Sequence, residues 1–283
     1  MLQGIRRYAM QSCRHSIERA ITTMWEHHNE PLSLDDIADT AILSKFYFAR
    51  VFRSITGTTP ARFLTAIRLY QAKKLLHQTP FNVTDIVYMV GFNSLGTFTT
   101  RFSKSVGMSP SRFRSLSHSG FPMFSPPETT PHLRTTAVEG TVVLPPTSTP
   151  LRIYVGAFSS PIVEGIPASC YMIDVPANGD RVRKFRLDAV PAGEWHVRAT
   201  AVAVRWADVD PRPWARQPLF VGAGKALVKP SGPNLNLRIP MRGMDLIDVP
   251  ILLALPELDN RSFPEPMLSA QPTSELAVRR HKA

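Results

Sequence analysis

Cysteine is nearly absent from this chain: Cys13 and Cys170 are the only two in 283 residues, and neither stands in a CxxC or other metal-ligand spacing. That argues against a disulfide framework or a thiolate metal site and leaves two reduced thiols. Long hydrophobic runs are missing too. No stretch approaches the roughly twenty apolar residues needed to span a bilayer, and the opening "MLQGIRRYAMQS" lacks the apolar run of a signal peptide. A cytoplasmic protein without a membrane partner is expected. Catalytic signatures are also lacking, since no HExxH, GxSxG or serine-histidine arrangement can be read, and His132, His196 and His281 are scattered. "LFVGAGKALV" contains Gly-Lys, but the spacing of a phosphate-binding loop puts Leu219 where its first glycine belongs and Ala226 where Ser or Thr belongs. A glycine-rich hairpin accounts for it better. Asp208 and Asp210 read as loop residues and His196 as a strand residue with an ordinary partner. No catalytic residue, no metal and no cofactor is expected, and the protein is expected not to be an enzyme.

Two further scarcities are regional. Only 4 of the 26 prolines precede residue 119, and residues 1–118 hold 7 Asp+Glu against 15 Lys+Arg, a net +8. The remainder holds 15 against 18, a net +3, which completes the chain's +11. Positive charge thus concentrates on the first part, as a polyanionic partner requires. The length suffices for two domains with their own cores. The expected division is a first domain over 1–118, a proline-rich linker over 119–136, a companion domain over 137–262 and a mobile tail over 263–283.

What is present in the first part is a repeat. Shifting residues 44–63 by fifty positions pairs Ser44 with Ser94, Phe48 with Phe98, Phe52 with Phe102, Gly57 with Gly107, Pro60 with Pro110, Arg62 with Arg112 and Phe63 with Phe113. Seven identities in twenty positions exceed the roughly one expected by chance. Each copy opens with a capping oxygen and a carboxylate three residues on, Ser33/Asp36 and Asn82/Asp85, ahead of a short apolar-faced helix. Gly91 then ends the second copy's short helix. Ser44 and Ser94 are read as caps of the next helices, on which Phe48/Phe52 and Phe98/Phe102 stack four apart. The phenylalanine faces belong inside, so the opposite faces are left for a partner. Pro60 to His77, with Ile67, Leu69, Ala72, Leu75 and Leu76, reads as a long helix, mostly apolar on one side, holding two similar heads.

The stretches "LSLDDIADTAILSKFYFARVFRSITGTTPARF", "IRLYQAKKLL" and "VTDIVYMVGFNSLGTFTTRFSKSVGMSPSRFR" resemble the DNA-binding module of the AraC/XylS family of transcription regulators, over about residues 15–115. Two positions depart from the family pattern: Val87 stands where alanine is usual, and Thr100 where arginine is common. The resemblance implies promoter DNA as partner, read by two helices in successive major grooves, with activation often through contact with RNA polymerase. By the family's motif, Phe46, Ala49 and Arg50 of the first recognition helix and Leu95, Gly96 and Thr100 of the second face base edges. Arg50 can donate two hydrogen bonds to guanine O6 and N7, worth about 1 to 3 kcal/mol of discrimination. Lys45 and Arg53 in the first head, and Arg101, Lys104 and Arg112 in the second, are expected to hold phosphates, with Ser94 at the helix entrance. The second helix then reads shape and thymine methyls, and the first supplies most of the specificity.

The second part alternates short apolar-polar segments, "AVEGTVVL", "LRIYVGAF", "CYMIDV", "VRKFRLDAV", "EWHVRATAVAV", "LNLRI" and "DLIDV", separated by Pro, Gly and Asn. They predict an all-β, sandwich-like domain. "FRLDAVPAGEWHVRATAV" resembles hairpins of transthyretin-like or carboxypeptidase-regulatory-like sandwiches. Sensing of a small-molecule effector, homodimerisation and contact with another protein all stay open for this domain. The fold class is therefore multi-domain α plus β, an all-α double helix-turn-helix domain followed by an all-β one. A rival reading is a scaffold whose basic module coats nucleic acid without sequence preference. Selectivity at fixed salt separates the two.

Overall fold

A computed structural model describes residues 2–119, 135–203, 218–229 and 235–252 of the chain. The expected linker, except for its two ends, and the expected tail lie outside the described residues, as do His132, His281, Asp208 and Asp210.

Among the described residues seven helices come first: α1 (Leu2–Glu26), α2 (Leu34–Thr40), α3 (Lys45–Thr56), α4 (Pro60–Gln78), α5 (Val83–Met89), α6 (Leu95–Val106) and α7 (Pro110–Ser119). The caps are those the sequence calls for, with one exception. Ser33 and Asp36 close a reciprocal box, the Ser33 hydroxyl accepting from the Asp36 N–H at 3.1 Å and the Asp36 carboxylate from the Ser33 N–H at 2.8 Å. Asn82 accepts from the Asp85 N–H at 2.7 Å, and Thr59 and Ser109 start α4 and α7 in the same manner. Ser94 caps α6, but Ser44, at the equivalent place before α3, makes no side-chain cap bond.

The helices form two cores. Ile17, Ala20, Ile21 and Met24 of α1 join Ile37, Ala38, Phe48, Phe52, Phe63 and Ile67 in the first. Leu69, Ala72 and Leu76 of α4 join Ile86, Val87, Phe98, Phe102 and Phe113 in the second. The central helix therefore buries residues in both cores rather than along one side, which is why its apolar stripe is broad. The repeated phenylalanines pack as the repeat implies: Phe48 to Phe52 and Phe98 to Phe102 both have ring centroids 5.4 Å apart, and each chain of rings ends on the first turn of the next helix, at Phe63 and Phe113. Val87 is fully buried in the second core.

The described residues of the second part form seven strands: β1 (Thr135–Val143), β2 (Leu151–Phe158), β3 (Ser169–Val175), β4 (Val182–Pro191), β5 (Gly193–Ala203), β6 (Pro218–Val228) and β7 (Leu235–Gly243). They run in the order β3-β2-β5-β6-β7-β1-β4. Two half-sheets face each other across one core, and β7 joins them: it runs parallel to β1 over Leu235–Pro240 and then pairs antiparallel to β6 over Met241–Gly243. The edge strands β3 and β4 approach each other on the far side, so the sheet is nearly a barrel. Val138, Val142, Ile153, Val155, Phe185, Leu187, Val197 and Ile239 fill it.

Three expectations are corrected here. The Pro191-Ala192-Gly193 turn does not close a hairpin, because β4 pairs with β1 while β5 pairs with β2 and β6. It is a corner between half-sheets, held by the Trp195 indole N–H donating to the Pro191 carbonyl at 2.7 Å. "LFVGAGKALV" is one strand, β6, not a hairpin. Its glycines serve packing: a Cβ at Gly222 would lie 2.7 Å from Ile239 Cγ2 on β7. "DLIDV" is not a strand but part of a strap, residues 244–252, which leaves the sheet and lies on the helices.

That strap and the loop after β2 join the two parts. Ile247 and Val249 pack on the first helical core and Leu252 enters the second. The buried Lys73 ammonium donates to the Leu252 carbonyl at 2.8 Å, and Arg14 pairs with Asp245. Burial pushes the Asp245 carboxyl upward, but bonds from Arg14 and from backbone N–H groups outweigh it and hold the pKa below the usual value. From the loop, Glu164 accepts from Arg62 on α4 and from the Ser105 hydroxyl on α6, the latter at 3.2 Å, so it bridges the two heads. β2 is buried at all eight positions for this reason: Ile153, Val155 and Ala157 face the barrel, whereas Tyr154 and Phe158 face the seam beside Ile251.

Candidate nucleic-acid interface

The burial of Phe48 and Phe52 on α3, and of Phe98 and Phe102 on α6, turns the remaining faces of both helices outward. The two helices repeat each other position by position: Ser44 to Tyr47 and Ser94 to Thr97 are exposed, Phe48 and Phe98 are buried, and Arg50 and Thr100 are exposed again. Of the twelve residues predicted from the sequence, eleven lie on α3, on α6 or at the α6 cap and Arg112 lies on α7; Ala49 is half-buried and the other eleven are exposed.

On α3, Phe46 is 87 % exposed, far more than an aromatic side chain without a partner would favour. The Arg50 guanidinium stacks over the Tyr47 ring, 5.2 Å from its centroid, which orients it without using its N–H donors. Lys45 is paired with Asp35 of α2 at 2.6 Å in an exposed bridge that a phosphate could replace at little cost. The Arg53 side chain has no bonded partner among the described residues, its backbone carbonyl accepting the Gly57 N–H that caps the helix.

On α6, the Ser94 hydroxyl accepts from the Thr97 N–H at 3.2 Å and donates to the Thr97 hydroxyl at 2.9 Å. Leu95 is 42 % exposed, and a Cβ at Gly96 would meet nothing within 4 Å, so this entrance is shallow and open. Arg101 donates to the Thr65 hydroxyl on α4 at 3.4 Å. Thr100 and Lys104 are exposed. Arg112 donates its backbone N–H to Ser109 in the first turn of α7.

The turn before each recognition helix differs between the heads. Gly91 has φ +84°, and a Cβ there would lie 2.7 Å from the His28 carbonyl oxygen, so both conformation and space require glycine. Its counterpart in the first head is Ile42, with φ 57° and 76 % exposed, a β-branched residue in the left-handed region. The backbone bonds match across the two turns, Leu43 N–H to Ala38 and Phe92 N–H to Val87.

The sequence did not single out α1, Tyr47 or the pair Arg62/Glu164. The helix was readable from Ile17, Ala20, Ile21 and Met24, whose spacing is that of one helical face. Tyr47 sits next to Phe46 in the motif and was within reach by the same logic. Glu164 lies 102 residues from Arg62, and no local pattern connects them.

A helix-turn-helix domain model matches residues 37–115 of the chain. The probable transcription factor PqrA of Proteus vulgaris is 35 % identical over 86 residues, 30 % of this chain and 70 % of that protein. The melibiose operon regulatory protein of Escherichia coli is 33 % identical over 92 residues, and the activator RhaS of an Enterobacter species 37 % over 89. This chain spans about a third of each of those two, 30 % and 32 %. Among solved structures, the DNA-binding domain of AdpA in complex with a target DNA is 28 % identical, covering 38 % of this chain and 97 % of that one with a TM-score of 0.36. Among the described residues no helix is long and apolar enough to cross a membrane. With two heads joined by α4, a domain match over residues 37–115 and a relative 35 % identical of which this chain covers 70 %, the chain belongs to the AraC/XylS family of helix-turn-helix DNA-binding transcription regulators.

Proposed function

We propose that the protein is a cytoplasmic, sequence-specific regulator of promoter DNA whose helices α3 and α6 enter successive major grooves on one face of the duplex. The observation that carries this is the matched exposure of the two helices, with their phenylalanine faces buried in separate cores and their other faces open. α4, at 19 residues, is about 28 Å long, a rod comparable with the roughly 34 Å repeat of B-form DNA. Arg50 reads guanine, Phe46 and Ala49 make apolar contacts beside it, and Lys45 and Arg53 hold phosphates. On the second helix Leu95, Gly96 and Thr100 fit thymine methyls and groove shape, while Ser94, Arg101, Lys104 and Arg112 line the backbone side. Similarity to regulators such as the melibiose operon regulatory protein and the activator RhaS supports control of transcription as the output, and contact with RNA polymerase belongs to the same proposal. Residues 1–118 act as the DNA-binding domain and residues 137–262 as a companion joined by the 119–136 linker, with 263–283 as tail. The strap and the Glu164 bridge place that companion against both heads, which suits a sensing role better than remote dimerisation.

The test is competition binding of the full chain at fixed salt between duplexes recovered from a random pool and unselected duplex. A preference of about a thousandfold or more is expected of a regulator. Salt-dependent binding without preference would instead mark a coating protein.

A further inference from the structure

The helical and strand-rich parts line an open cavity of about 410 Å³ between them, within the size range of small-molecule sites. Part of its wall is apolar: Ile162 from the loop after β2, Val221 from β6, Ile251 from the strap, and Ile55 from the last turn of α3. Three charged side chains reach it. Arg242 sets two guanidinium nitrogens on Asp248, at 2.7 and 2.6 Å, and the same carboxylate accepts the Asp245 N–H at 2.8 Å. Asp248 is therefore committed. Arg198, from β5, is not so served: its Nε is buried and has no hydrogen-bond partner among the described residues. Burial lowers its pKa, with the charge of Asp248 opposing the shift, yet a guanidinium stays protonated. Two guanidinium groups and one carboxylate leave the cavity one positive charge in excess. An unmatched donor on a buried cation is costly, and a carboxylate matches it in charge and in planar geometry.

We propose that this cavity binds a monocarboxylate with an apolar body, the carboxylate pairing with Arg198 and the body lying against Ile162, Val221, Ile251 and Ile55. The proposal deepens the sensing role given above and rests on it only for the link to DNA. That link is short. Ile55 and Thr56 end α3, the helix that carries Phe46 in its first turn and Arg50 at its middle, and the strap over the cavity holds α4 through Lys73. An occupant touches the recognition helix and the strap at once, so it changes the affinity of the first head for its half-site.

The experiment is calorimetry on the full chain with octanoate and 3-phenylpropanoate, each against its primary amide. Both acids are expected to bind at one site at least tenfold more tightly than their amides. In Arg198→Met the gap between acid and amide closes, while the melting curve stays cooperative. Arg198→Lys keeps the charge but not the planar pair of donors, so it weakens the acids severalfold and leaves the amides unchanged. Equal binding of acid and amide by the wild-type protein, binding of neither acid, or a gap that survives Arg198→Met would each overturn the proposal. Fluorescence anisotropy on a preferred duplex then reads the link: a fivefold or larger change in affinity with octanoate, absent in Arg198→Met, is expected. No change there would overturn the coupling, whereas absence of any preferred duplex would remove the DNA reading and leave the calorimetric result standing.

Discussion

The two helical heads share a framework and differ in what they show outward. Both bury a phenylalanine pair at the same spacing and end the ring chain on the first turn of the next helix. The first head then presents Lys45, Phe46, Arg50 and Arg53, whereas the second presents Leu95, Gly96, Thr100 and Arg101. The second head also has the better turn, glycine in the left-handed region where the first has Ile42. Duplication thus kept the packing residues, whose loss would unfold either head, and let the outward residues diverge. The framework is repeated while the outward side chains differ.

The framework half of that comparison breaks most severely at the rings. Phe52→Ala and Phe102→Ala should each cost about 3 to 5 kcal/mol in denaturant unfolding, with similar values because the two sites are equally buried. A cost in one head much below the other would show that the cores are not equivalent. At the turns the heads should part in sign. Gly91→Ala places a Cβ against the His28 carbonyl and should destabilise by about 2 kcal/mol or more. Ile42→Gly relieves a strained residue and should stabilise by about 1 kcal/mol. Thermal melts of both variants check this.

The readout half is tested at Arg50 and Thr100. Arg50→Ala should lose about 1 to 3 kcal/mol of affinity for the preferred duplex, with selectivity falling at one position, while Thr100→Ala should lose well under 1 kcal/mol. Gel-shift titrations at one salt concentration give both values. The smallest effect concerns Arg62, the repeat counterpart of Arg112, which is held by Glu164. Glu164→Gln should free it for a phosphate, steepening the dependence of log affinity on log salt by about 1. An unchanged slope would mean that the Arg62 guanidinium does not reach the duplex.

Much of the helical part was legible because its signals are local: caps, proline at the first helical turn, and aromatic pairs four apart. Ser44 shows the limit of such reading, since it sits at the cap position but forms no cap bond. Seven strand segments were marked by alternation, and six of them are strands; "DLIDV" alternates as well but is drawn onto the helices by Ile247 and Val249. Pairing was less accessible. Pro191-Ala192-Gly193 has the composition of a hairpin turn, yet the partners of β4 and β5 are set by distant strands. Gly222 and Gly224 looked like turn residues because the side chain they make room for, Ile239, lies in another strand. The outward residues of α3 and α6 followed directly from the inward phenylalanines. The cavity beside Arg198 did not, since its walls come from α3, the loop after β2, three strands and the strap.

The central claim, that two joined heads read neighbouring grooves and the first carries most of the sequence information, is tested most directly by random-pool site selection with the wild-type chain, Arg50→Ala and Thr100→Ala in parallel. The account predicts a two-part motif with centres about 10 base pairs apart, in which Arg50→Ala erases a guanine from one half and Thr100→Ala only weakens the other. A single undivided motif, or equal erosion of both halves by the two variants, would contradict it.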